Sequence, residues 1–259
     1  MIENKKILEV GFEAAKKSGE FLMSKYGKIK KISSKERKDI LTEVDLGSEK
    51  IILDIIKNKF SNHNILSEEI GEIKNSDSEY LWIIDPLDAT VNYTAGLPLF
   101  SVSIGLVKNK IPFFGIVYAP YLNELFYAIK GQKAFLNNSK IAVSKNKNLS
   151  ESVINIGLSA HYNDDQIKKT WSICNKITPK LRGIRAFESG ALTSAYVACG
   201  RLDGKISIKT DPFGNAASTI IIEEAGGKVT DSDNRSWSTE MIDMICSNGI
   251  IHQDILDNY

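Results

Sequence analysis

The sequence predicts an α/β (α+β) protein in which sheets are layered with helices. Three observations carry this. Short strand-like segments separated by turn residues fill the stretch 100–136. From residue 153 onward, strand-like and helix-like segments alternate. The 259 residues are 42% hydrophobic and 25% charged, a globular composition on a chain long enough to bury a large core. Each sheet and helix must cover an apolar face, and alternating elements do so as layers.

Ile7, Val10, Ala14, Phe21 and Leu22 fall near one helical face, so the N-terminal segment reads as a helix. Residues 28–39 are basic and poor in apolar side chains. They read as a solvated loop, or as a mobile basic loop over an anionic site. Helical spacing returns at 45–60, through Ile52, Ile55, Ile56 and Phe60. Two buried strands follow, Ile65-Leu66 before Ser67-Glu68-Glu69 and residues 81–84 before Asp85-Pro86, where the proline is expected to stop the strand. Strands at 100–107, 113–118, 125–129 and 134–136, with turns at 108–110 and 130–132, suggest an antiparallel sheet.

The second half reads as strand 153–156, helix 164–176, strand 183–187, helix 190–198 and strand 202–208. A helix at 215–224 is ended by Gly226-Gly227. Strands at Val229 and 241–246 and a short helix at 250–256 complete the chain. No linker divides it, so residues 1–259 read as one unit, with a soft subdivision near 149 into 1–149 and 150–259.

Lys plus Arg number 33 against 32 Asp plus Glu, a net charge of +1. That argues against a nucleic-acid binder, which needs a cationic excess, and against a membrane-surface protein using the basic run. Cys174, Cys199 and Cys246 are odd in number and far apart, which fits no disulfide framework or zinc ribbon and points to a reducing compartment. No apolar run approaches the ~20 residues of a membrane span, and the N-terminus lacks a signal-like apolar core. A cytoplasmic protein is expected.

The chemistry concentrates in Asp85-Pro-Leu-Asp88-Ala-Thr90-Val-Asn92-Tyr93. Two carboxylates three residues apart, with the Leu87 carbonyl between them, form a hard oxygen set suited to Mg²⁺. Taken alone, such a pair is an ordinary acidic turn. The preceding apolar strand, proline, threonine and asparagine favour the metal site. If a helix begins here, the N–H groups of Ala89 and Thr90 would hold a phosphate oxygen. Glu68 would lie beside Asp85, as another ligand, if their two strands are neighbours. Asp45 is either a helix N-cap or the acceptor of a hydrogen bond from Thr90 that helps this hydroxyl take a proton from water.

These residues, with Ser189-Gly-Ala-Leu192, Gly200-Arg-Leu-Asp203-Gly204 and Glu224-Ala-Gly-Gly227, resemble the inositol monophosphatase family from about Asp39 to Asn248. The family element Asp-Pro-(Leu/Ile)-Asp-Gly-Thr-x-Asn-Phe reads here with Ala89 for its glycine and Tyr93 for its phenylalanine. The branch acting on 3′-phosphoadenosine 5′-phosphate usually ends this element in Lys-Glu-Phe, so Asn92-Tyr93 is closer to the inositol branch. The resemblance implies the layered α-β-α-β-α sandwich shared with fructose bisphosphatase. It implies Mg²⁺ ligation by Glu68, Asp85, the Leu87 carbonyl and Asp88. Water activation falls to Thr90 and Asp45, and phosphate binding to the backbone at Ala89 and Thr90. It also implies a homodimer, and a basic loop near 30–38 that closes over the site.

Two departures stand out. The family's Trp-Asp-x-Ala-Ala element, whose aspartate binds a second metal, aligns with Phe213-Gly214-Asn215-Ala216-Ala217, so Gly214 replaces that ligand. Asp211, three residues upstream, reads as a loop acid, or as a substitute ligand if its turn bends inward. A family glutamate that contacts a substrate hydroxyl aligns with Ser207. The expected activity is Mg²⁺-dependent hydrolysis of a small phosphate monoester, such as an inositol or sugar phosphate. Two alternatives are a 3′(2′),5′-bisphosphate nucleotidase and a weakly active member that binds a phosphorylated ligand or partner.

Overall fold

The structure, a computed structural model, describes residues 2–28, 32–36, 39–75, 78–159 and 161–259, with backbone alone for residues 2, 32–36 and 39–42. The chain opens with helix α1 (Ile2–Lys25), a β1 (Ile32–Glu36) and β2 (Asp39–Thr42) pair, and helix α2 (Glu43–Lys59). Then come β3 (Asn64–Ser67), β4 (Gly71–Ile73), β5 (Tyr80–Asp88) and the short helix α3 (Thr90–Thr94). Strands β6 (Ser101–Lys108), β7 (Ile111–Ala119), β8 (Glu124–Ile129), β9 (Ala134–Leu136) and β10 (Ser139–Ile141) follow. The remainder is β11 (Val153–Ile156), α4 (Asp164–Ile177), β12 (Gly183–Arg185), α5 (Gly190–Ala198), β13 (Gly204–Ser207), α6 (Pro212–Glu224), β14 (Lys228–Thr230), β15 (Met244–Ser247) and α7 (His252–Leu256).

Strands β3 to β10 form one eight-stranded sheet in the order β10-β9-β8-β7-β6-β5-β3-β4. Its pairs are antiparallel except β3 with β5. A five-stranded sheet has the order β12-β11-β13-β15-β14. Period-2 alternation assigns the faces. On β5, Trp82 and Ile84 join Ile7, Leu22, Ile52 and Ile56 from α1 and α2 in one core. Ile83 points the other way, into a core shared with α5 and α6. That second core reaches Met244 and Cys246 of the five-stranded sheet. The outer face of this sheet, with Ile154, Ile206 and Ile245, packs on Ile173 and Ile177 of α4 and Ile255 of α7. The layers are therefore α1/α2, eight strands, α5/α6, five strands and α4/α7: the α-β-α-β-α sandwich.

The central helix layer explains the composition of its helices. All residues of α5 from Ala191 to Ala198 are buried, as a helix between two sheets requires. Helix α6 lies so close to the eight-stranded sheet that a Cβ on Gly115 would collide with the Ala217 carbonyl and approach Ile220 Cγ2 to 2.7 Å.

Several boundaries differ from expectation. β5 runs through Pro86 to Asp88, because the proline sits where the pairing with β6 slips between Asp85 and Asp88. A bulge needs no ladder donor there. Helix α2 starts at Glu43, so Asp45 lies inside its first turn and is not the N-cap. Helix α6 starts at Pro212, capped by the Asp211 side chain, which accepts from Phe213 N and Gly214 N. The basic stretch holds the β1–β2 pair. Lys30, Lys31, Arg37 and Lys38, and with them the expected closing loop, lie outside the described residues. The three cysteines are free. Among the described residues, no helix is long and apolar enough to cross a membrane.

Candidate active site

A cavity of about 680 Å³ opens where β3 and β5 end and where α5 and α6 begin. Glu68, Asp85 and Asp88 line one wall, and Lys205, Ser207 and Asp211 lie on it as well.

The parallel pairing of β3 with β5 brings Glu68 to Asp85. Ser67 pairs with Ile84, and Glu68 N donates to the Ile84 carbonyl at 3.1 Å. The turn carrying Glu68 is shaped by Glu49, buried on α2. Its Oε1 accepts from Ser67 Oγ, from Glu69 N at 3.1 Å and from Ile70 N at 3.2 Å. Glu68 and Asp85 share a side-chain hydrogen bond.

The β5 bulge then aims the rest. Between pairs Asp85↔Ser103 and Asp88↔Ser101, β5 carries one more residue than β6. Ser48 Oγ on α2 donates to the Pro86 carbonyl at 2.7 Å, and Leu87 N donates to Asp85 Oδ1 at 3.0 Å. Asp88 turns toward α5. Its carboxylate accepts from Ser189 Oγ, from Ser101 Oγ at 2.9 Å, and from the N–H groups of Gly190, Ala191 and Leu192 at 2.8, 3.1 and 3.3 Å. It is thus the anion on that helix's N-terminus.

Ala89 takes the left-handed conformation, φ 70° and ψ 53°, and α3 starts at Thr90. Thr90 Oγ1 is 2.9 Å from Asp45 Oδ1 and 3.1 Å from the Leu87 carbonyl, so its proton has two acceptors. Asn92 Nδ2 donates to the carbonyls of Leu99 and Phe187, which ties α3 to the segment before α5. The Tyr93 hydroxyl donates to the Leu22 carbonyl of α1 at 2.7 Å.

Burial pushes the Asp85 carboxyl well above its ordinary range, and the neighbouring Glu68, Asp88 and Asp211 push the same way. Asp211 is also raised by burial, against the two α6 N–H groups that favour its charged form. It is ringed by protein yet open to water along the cavity. Such a cluster of carboxylates calls for a proton or a cation. The donors are hard oxygens, which suits Mg²⁺ and not a thiolate- or imidazole-preferring metal. Among the described residues, no three Asp, Glu, His or Cys side chains close into a ready ligand set. The fit is therefore to an ion held by Glu68 and Asp85, completed by the Leu87 carbonyl in the same turn and by water.

The structure brings Glu68, Asp85 and Asp88 to the cavity wall. Leu87, Ala89, Thr90 and Asp45 form the adjoining turn, and the expected Thr90–Asp45 bond is present. Gly214 lines the cavity beside Asp211. Sequence reasoning passed over Lys205, Lys209 and Glu188, all on the cavity. The short segment Gly204-Lys-Ile-Ser207 carried no local signal that Lys205 faces the cavity. Two family-like motifs prove architectural. Asp203 accepts from Asn146 Nδ2 at 2.9 Å and Val153 N at 2.7 Å, and Glu224 accepts from Gly131 N at 2.6 Å and Lys133 N at 2.8 Å.

Comparison with known proteins agrees with this geometry. The sequence model of the inositol monophosphatase family matches residues 3–258. A fructose-1,6-bisphosphatase/inositol-1-monophosphatase of Thermotoga maritima is 38% identical over 250 residues, covering 96% of this chain and 94% of the relative. The Nus factor SuhB of Pasteurella multocida is 33% identical over 228 residues, 87% of this chain and 85% of the relative. Among solved structures, a Thermotoga maritima inositol monophosphatase superposes with a TM-score of 0.89 at 36% identity, covering 97% of this chain and 95% of that one. The SuhB protein of Bartonella henselae superposes at 0.93 with 31% identity, covering 97% of each chain. The chain belongs to the inositol monophosphatase family, and it is a phosphatase of phosphate monoesters.

Proposed function

We propose that this cavity hydrolyses a small sugar or inositol phosphate with the help of a divalent cation, Mg²⁺ by the chemistry of its donors. The observation that carries the reading is the Thr90–Asp45 hydrogen bond beside the Glu68–Asp85 carboxylate pair. Glu68, Asp85 and the Leu87 carbonyl would hold the ion, with Asp88 as a further carboxylate whose oxygens also anchor α5. A divalent ion bound there lowers the pKa of water and neutralises phosphate charge.

The chain's own groups do the rest. Thr90 Oγ1, donating its proton to the buried Asp45, keeps a lone pair that accepts a proton from the attacking water. The N–H groups of Ala89 and Thr90 precede the first helical bonds of α3 and so are open to a phosphate oxygen. Ser207, Lys209 and Thr210 on the cavity supply donors for a hydroxylated leaving group. The Thermotoga maritima relative, named for both fructose-1,6-bisphosphate and inositol-1-phosphate activities, supports a polyol phosphate. Three free cysteines support a reducing, cytoplasmic setting, and family membership supports a homodimer, which sedimentation would check.

Phosphate release from a panel of sugar, inositol and nucleotide monophosphates, with and without Mg²⁺, tests the reading. Thr90→Ala and Asp45→Asn should each lower kcat by about 10²–10⁴, and Thr90→Ser should retain most of it. Absence of metal-dependent turnover on every member would sink the proposal. A second reading, a weakly active binding protein, is favoured by Gly214, which offers the cavity no side-chain oxygen. Binding of inorganic phosphate without turnover on the panel would single it out.

A further inference from the structure

Lys205 is a charged residue in the middle of the five-stranded sheet, on β13, between Asn155 of β11 and Cys246 of β15. It is 4% exposed, and that exposure is on the cavity. Its Nζ donates to the Gly190 carbonyl at 2.7 Å and to Ser194 Oγ at 3.0 Å. An ammonium has three donors, so one remains for the cavity. Among the described residues, no carboxylate lies within ion-pair distance of it; burial lowers its pKa, and Cys246, Asp88 and Asp211 oppose that only in part. A buried cation without a counter-ion in contact is costly. An anionic ligand would offset that cost.

Gly214 belongs to the same small region. A Cβ there would point at the start of α5, 3.8 Å from Ala191 N and 4.0 Å from Gly190 Cα. A Cβ on Gly190 would in turn lie 3.6 Å from Asp88 Oδ1 and 4.0 Å from Lys205 Nζ. By the family alignment position 214 carries an aspartate that binds a second metal, and Gly214 supplies no such carboxylate. This chain has a glycine there, and the Lys205 ammonium lies on the same cavity, bonded to the Gly190 carbonyl that neighbours it. A carboxylate with its divalent ion carries one net positive charge, and so does one ammonium.

We propose that Lys205 is a built-in cation of the active site: its ammonium contacts the phosphoryl group where a second divalent ion would otherwise sit, and the chain binds a single ion at Glu68 and Asp85. This rests on the phosphatase reading of the same cavity. The proposal makes Lys205 a substrate-binding residue, and it relieves Asp88 of metal duty so that both its oxygens can hold α5.

Counting Mn²⁺ ions per full-length chain by electron paramagnetic resonance, and titrating inorganic phosphate into the Mn²⁺-loaded protein by calorimetry, tests this without an activity assay. Wild type should bind one ion. Lys205→Met should keep that ion but weaken phosphate binding by about 10- to 100-fold, the worth of a charge-assisted bond. The double variant Lys205→Met/Gly214→Asp should gain a second ion. Two ions on wild type, or phosphate affinity unchanged in Lys205→Met, would overturn the proposal and leave the phosphatase reading standing. No ion on wild type would overturn both. Should Lys205→Met fail to fold, the wild-type ion count still decides.

Discussion

Ala89 shows how a single residue carries strain at the site. Its φ of 70° is a conformation that costs a residue with a Cβ about 1–2 kcal/mol. The turn imposes it, because α3 must start immediately after the β5 bulge for Thr90 to meet Asp45. Replacing Ala89 with glycine removes the clash and adds back some unfolded-state entropy. The net gain should be about 0.5–1 kcal/mol, read as a higher urea midpoint, and a lower midpoint would refute the strain. At this scale the sequence was legible where chemistry is local. Asp85, Leu87, Asp88, Ala89 and Thr90 lie within six residues and share one turn. Glu68 and Asp85 were related by expecting two strands to be neighbours, and the parallel β3–β5 pair makes them so, while Asp45 was related through the hydrogen bond expected from Thr90, which is present. Lys205 was not legible, because nothing in residues 204–207 says that β13 runs beneath the start of α5.

Helices α5 and α6 form the element that joins the two halves of the site. Asp88 caps α5 from across the sheet, and Asp211 caps α6 from within its own turn. The sheet can reach α6 only where it lacks side chains. Gly105 and Gly115, paired on β6 and β7, both face it. Gly115→Ala should therefore cost about 3 kcal/mol by overpacking, seen in chemical denaturation. A cost under about 0.5 kcal/mol would mean that α6 shifts freely. Long periodic elements such as α1, α2 and α4 were legible because their apolar spacing repeats. β4 and β10, three residues each, were not, because their pairing comes from a neighbouring strand and not from their own pattern. Pro86 misled for a physical reason: it ends a regular ladder but fits a bulge.

Across the whole molecule, buried titratable groups set how stability follows pH. His252, at the start of α7, bonds Thr230 Oγ1 and Ser247 Oγ, each at 2.9 Å. Burial, aided by the Lys228 charge, pushes its imidazole down to about 4 from 6.5. The folded state keeps it neutral while the unfolded state protonates near 6.5, so the unfolded chain binds more protons between these values. Its contribution is full above pH 6.5 and is lost as pH falls toward 4. The urea midpoint should drop across that window, and the His252 ring resonances should stay neutral down to about pH 5. A ring that titrates near its ordinary value would show that α7 is not closed over it.

Read alone, the chain determined its alternating elements and the acidic turn at 85–93, because hydrophobic period and turn chemistry act over a few residues. Tertiary structure alone decided that Lys205 lies on the cavity with Asp85 and Asp88, and that Asp211, left open by the sequence, does too. Those positions meet only when two sheets clamp the α5/α6 layer, and the crossing of strands under helices is set by packing between segments more than 100 residues apart.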